Sequence, residues 1–78
     1  MDTKKLVKMA NDIAAFFAAE PERKAAVDGV AGHLKRFWEP RMRKEILAAL
    51  DRGETQAMNE LVVEALRGHR NMLEPAGR

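Results

Sequence analysis

The sequence contains no cysteine and no serine. Without cysteine there is no disulfide, thiolate zinc site, cysteine-ligated iron–sulfur cluster or cysteine nucleophile. Nucleophilic catalysis would then fall to the two threonines, Thr3 and Thr55, and each stands where it can cap a helix instead. Histidine is almost as scarce. His33 and His69 are far apart in the chain, and neither sits in the Glu-x-x-His pair that di-metal sites in helical bundles use. His33 falls at the edge of an apolar helical face, the ordinary place for a boundary side chain, and His69 lies in the C-terminal tail, where it reads as solvated. The five glycines are scattered, so no glycine-rich loop can cradle phosphate. Glu60 and Glu64 share a helical face, but two exposed like charges make no acid/base pair. No catalytic, cofactor-binding or metal-binding residue is expected.

Long apolar runs are missing too. No segment approaches the ~20 residues of a membrane span. Met1-Asp2-Thr3-Lys4-Lys5 leads into an amphipathic stretch rather than a signal-peptide core, so a cytoplasmic location with no membrane partner is expected. Neither sign of charge dominates. Fourteen basic and twelve acidic side chains give a net charge of +2, too even to imply nucleic acid on electrostatics alone. Seventy-eight residues allow one domain, and a core of that size rarely supplies more than about 3–5 kcal/mol. Helix packing or a partner must supply the rest.

What is present is helical periodicity. Leu6, Ala10, Ile13 and Phe17 share one face of a first segment, about Thr3–Ala19, capped by Asp2 or Thr3. Met9 and Phe16 form a second ridge beside it, and so wide an apolar arc suits a helix with neighbours on two sides. Glu20-Pro21 breaks the segment, with Pro21 expected in the first turn of the next. That second segment, about Pro21–Trp38, aligns Val27, Ala31, Leu34 and Trp38, with Val30 and Phe37 adjoining. Gly29 and Gly32 inside it either permit close helix approach or only loosen it, at about 1 kcal/mol each. Pro40 opens a third segment, about Pro40–Arg52, which buries Met42, Ile46, Ala49 and Leu50 and ends at Gly53. Thr55 is expected to cap a fourth segment, with Met58, Leu61, Val62, Ala65 and Leu66 inside and Gly68 at its end. The expected fold is all-α: a small antiparallel bundle of three to four short helices over residues 1–68, followed by a flexible, disordered tail over residues 69–78.

One stretch stands apart. His33-Leu34-Lys35-Arg36-Phe37-Trp38-Glu39-Pro40-Arg41-Met42-Arg43-Lys44 holds five of the fourteen basic residues and the only tryptophan. Tryptophan and arginine dominate protein–protein hot spots, and arginine's planar fork suits partner carboxylates. Arg41 and Arg43 flank a helix start, where the macrodipole disfavours positive charge. The stretch reads equally as a docking surface and as core (Phe37, Trp38) beside plain solvated arginines. A helix-turn-helix around Glu39-Pro40 is a third reading, but Gln56 and Asn59, the base-reading candidates, lie away from the arginines.

Two blocks of the sequence, Leu6-Val7-Lys8-Met9-Ala10-Asn11-Asp12-Ile13-Ala14-Ala15-Phe16-Phe17 and His33 to Arg43, with the Pro21 break between them, resemble the delta subunit of soluble, NAD-dependent, molybdenum-containing formate dehydrogenases. The family pattern is Met-Ala-Asn-x-Ile, an aromatic pair, and then Ala-x-His-Leu/Ile-x-x-Phe-Trp-Asp/Glu-Pro-Arg-Met-Arg. The resemblance runs to about Leu66. It implies a non-catalytic accessory subunit that stabilises or helps assemble a complex. Its partners would be the large catalytic subunit, which oxidises formate to carbon dioxide, and the other subunits. They, not this chain, would carry bis-molybdopterin guanine dinucleotide, iron–sulfur clusters, FMN and NAD. The docking residues expected are His33, Arg36, Phe37, Trp38, Pro40, Arg41 and Arg43. The alternatives are a small helix-turn-helix-like nucleic-acid-binding regulator and a homodimeric helical bundle.

Overall fold

A computed structural model describes residues 2–75. Four helices of nine or more residues and one short one account for its regular structure: α1 (Thr3–Phe17), α2 (Arg23–Phe37), α3 (Pro40–Asp51), α4 (Glu60–Gly68) and α5 (Arg70–Leu73). The all-α bundle expected from the periodicity is what forms. The core runs through every helix and is built from small and branched side chains. Ala10, Ala14, Ala31, Ala49 and Ala65 are wholly buried beside Val30, Leu34, Ile46, Val62 and Leu66. Alanine at so many contact points lets the helices approach closely, at the expense of apolar area.

Each joint has a local cause. Asp2 caps α1, its carboxylate accepting from the Lys4 N–H at 2.9 Å. The helix stops at Phe17, with the N–H of Glu20 bonded to the Phe17 carbonyl at 3.0 Å. Pro21 precedes α2 rather than opening it. The first turn starts at Arg23, and the Ala26 N–H reaches back to the Glu22 carbonyl. At the other end Trp38 and Glu39 are both extended, as the residue before a proline must be. Pro40 is then the first residue of α3, as expected. Gly53 ends α3 with φ +78°. The N–H of Gly53 bonds the Leu50 carbonyl and that of Glu54 the Ala49 carbonyl, both at 3.0 Å, which is the Schellman pattern.

The α3–α4 connection departs from expectation. Thr55 caps nothing; residues 55–58 form a turn, and Asn59 caps α4 by accepting from the Leu61 N–H at 2.8 Å. Asn11 of α1 explains the choice. Its amide donates to the Ala57 carbonyl and accepts from the Asn59 N–H, both at 2.8 Å. One side chain thereby satisfies the two main-chain groups on either side of Met58, which is buried.

Within the stretch the sequence reading gives to the tail, the short helix α5 packs back onto the bundle. Leu73 of α5 is 1% exposed. Arg43 donates to its carbonyl at 3.1 Å, and Arg70 forks onto Asp51 at 2.8 and 2.7 Å. Too short for a visible period, the α5 segment is held by one apolar anchor and ion pairs. Residues 76–78 of the expected tail lie outside the described residues.

Candidate functional site

The stretch His33–Lys44 spans the end of α2, the extended corner and the start of α3. Phe37 is the last residue of α2, and Trp38 stands in the extended joint that follows it. Trp38 turns inward and is 6% exposed, whereas Phe37 is 67% exposed. Trp38 therefore sits in the core between α2 and α3, whereas the docking reading expected it at the surface.

Arg43 also lies inside the fold. It is 7% exposed, and its guanidinium is turned to the Leu73 carbonyl rather than to solvent. The buried Nε of Arg43 has no partner in the structure. Its place in the first turns of α3 is explained by what it holds.

The remaining expected residues are accessible. His33 is half-buried, and Arg36, Pro40 and Arg41 are exposed. Lys35 and Arg36 occupy the last turn of α2, where cations complement the macrodipole, so these two have an internal reason to be there. Arg41 has none. It sits at the start of α3, whose first turn contains no acidic residue. Among the described residues, Lys35, Arg36, Arg41 and Lys44 enter no ion pair, while Lys8, Arg23, Lys24, Arg52 and Arg70 each do. A shallow groove runs along α3 between Arg41, Lys44, Glu45 and Ala48. It borders α1, where Thr3 donates to Glu45 at 2.6 Å.

The structure adds residues that the reading of the sequence placed on a second apolar ridge of α1. Phe16 is 74% and Met9 43% exposed, so much of the second ridge of α1 is open. Phe16 meets Phe17 edge-on, centroids 5.1 Å apart. Phe17 meets His33 at 6.5 Å, and His33 meets Phe37 at 4.7 Å. Gly29 makes this possible, because a methyl group there would overlap the Phe17 ring. Gly32 touches nothing that a methyl would disturb. The available signal was the width of the apolar arc on α1, which exceeded what the neighbouring helices could cover.

No group of three or more potential metal ligands occurs among the described residues. His69, expected to be solvated, lies 2.8 Å from Asp28. Among the described residues, no helix is long and apolar enough to cross a membrane.

A family model for the NADH-dependent formate dehydrogenase delta subunit, FdsD, matches residues 5–66. The chain belongs to this delta-subunit family. The match spans both sequence blocks and the whole of the joint between them, and stops within α4. Neither the curated proteins nor the solved structures compared with the chain contain a match. Within the delta-subunit signature, the structure separates two kinds of residue. Trp38 and Arg43 are buried and half-buried Asn11 is engaged by the α3–α4 connection, while Phe16, Phe37 and Arg41 face outward.

Proposed function

We propose that this chain is a non-catalytic accessory subunit of a cytoplasmic NAD-dependent formate dehydrogenase, acting by docking onto the cofactor-bearing subunits and stabilising or assisting their assembly. The docking surface is the α2–α3 corner, with Phe37 as the apolar anchor, Arg36 and Arg41 as carboxylate partners, and His33 and Pro40 at its edge. Trp38 and Arg43 serve it from inside, by fixing the corner's shape and by tying α3 to the C-terminal segment. The observation that carries this reading is Arg41: an exposed cation at a helix start that favours anions, without an ion pair among the described residues. The large subunit would hold the molybdenum centre and iron–sulfur clusters, and others the FMN and the NAD site; the delta chain contributes no ligand to any of them.

Co-expression with the other subunits tests this. Phe37→Ser and Arg41→Glu are expected to remove the delta chain from complexes captured through a tag on the large subunit, while far-ultraviolet circular dichroism of the isolated variants stays helical. Complexes that retain both variants at wild-type stoichiometry would place docking elsewhere.

A further inference from the structure

The α2–α3 corner leaves the outer side of α1 unexplained. Met9 and Phe16 stand on an exposed ridge, yet Phe16 is not isolated. Phe16, Phe17, His33 and Phe37 form a row of four rings in successive contact, with centroid separations of 5.1, 6.5 and 4.7 Å. The row begins near the C-terminus of α1, crosses α2 and ends at the corner. Phe17, lodged against Gly29, is half-buried and holds the row in place, while its two ends are the most exposed aromatic side chains of the fold.

We propose that this row is one docking face continuous with the corner, and that its occupant is an apolar surface rimmed by carboxylates on another subunit of the formate dehydrogenase. The proposal rests on the corner's being a docking site and extends that site onto α1. The rim is assigned by charge. Lys35, Arg36, Arg41 and Lys44 lack ion pairs among the described residues, and only Glu39 of opposite sign lies between them in sequence. Apolar contact at Phe16 and Phe37, with acceptors for the cations beside Phe37, is the complement such a face requires.

A second copy of this chain fits poorly. Aromatic side chains present about 150–250 Å² each, so Phe16 and Phe37 at 74% and 67% exposure offer roughly 200–350 Å² together. Obligate dimers bury about 1,000 Å² or more on each partner. A two-fold contact would also bring this patch against itself, with cations facing cations.

The test titrates a formate dehydrogenase complex purified without its delta chain with the labelled full-length chain. Phe16→Ser is expected to raise Kd about tenfold or more, the loss typical of an interface anchor, with helicity unchanged because Phe16 supports little of the core. Phe16→Leu is expected to keep most of the affinity. Arg41→Glu should also weaken binding. If Phe16→Ser binds like the wild type while Phe37→Ser and Arg41→Glu do not, the face ends at the corner and the inference fails, with the docking reading intact. If all three bind like the wild type, both fail. If the isolated chain sediments as a dimer that Phe16→Ser dissociates, the occupant is a second copy and the inference is overturned.

Discussion

Phe37 and Trp38 are neighbours in sequence with opposite duties. Trp38 is 6% exposed between α2 and α3, and its truncation should remove about 3–5 kcal/mol, comparable to the whole stability of so small a domain. Phe37 is two-thirds exposed, and its truncation should change stability by no more than about 0.5 kcal/mol. Urea unfolding of Trp38→Ala and Phe37→Ala would check the contrast; equal losses would contradict it. The same asymmetry decides how docking is to be probed. A Trp38 variant that fails to assemble says only that the corner has collapsed. Arg41 and Arg43 repeat the lesson in charge. Periodicity placed all four of these residues near a helix joint, but a joint has an inside and an outside, and a heptad-scale pattern does not resolve which is which. Arg43 was the least legible: its acceptor is a main-chain carbonyl thirty residues away, which leaves no mark in composition or spacing.

Among the helices, α1, α2 and α3 were readable to within about two residues, because proline and glycine punctuate them and apolar residues recur at helical spacing. α4 was misread at its start. Thr55 is a good local cap, but Asn59 is supported from α1 by the Asn11 amide, and tertiary support overrides local preference. Asn11→Leu should leave the Ala57 carbonyl and Asn59 N–H without their side-chain partner, costing about 1–3 kcal/mol. Hydrogen exchange at the start of α4 should rise more than exchange in the middle of α2; uniform acceleration would mean that Asn11 serves only global stability. Phe16 was expected to meet a second neighbouring helix for a comparable reason. The sequence displays how wide an apolar arc is, and the fold alone determines how much of it this chain covers.

Across the whole molecule, the C-terminal segment is fastened by charge at sites that water reaches. Hydrogen bonding from Arg70 holds the Asp51 carboxyl below its ordinary 3.8. Hydrogen bonds from Lys24, then His69, do the same for Asp28, and one from Arg52 lowers Glu54 below 4.5. Depressed carboxyl pKa values add stability that is complete above the unfolded values and disappears as pH falls through the folded ones. Melting temperature should therefore be insensitive to these groups near neutrality and decline below about pH 4. Asp51→Asn should flatten part of that decline, and an unchanged acid limb would show that the Arg70 fork carries no weight. Such exposed pairs are individually weak and sensitive to salt, so Leu73 and the hydrogen bond to its carbonyl are left as the principal hold. A carbonyl is common to every amino acid. The clasp therefore measures distance along the chain rather than identity: Asn71 and Met72, both exposed, are free to vary, whereas a single inserted residue between Arg70 and Leu73 would put ion pair and anchor out of step. The C-terminal hook is a ruler, and length is the property it reads.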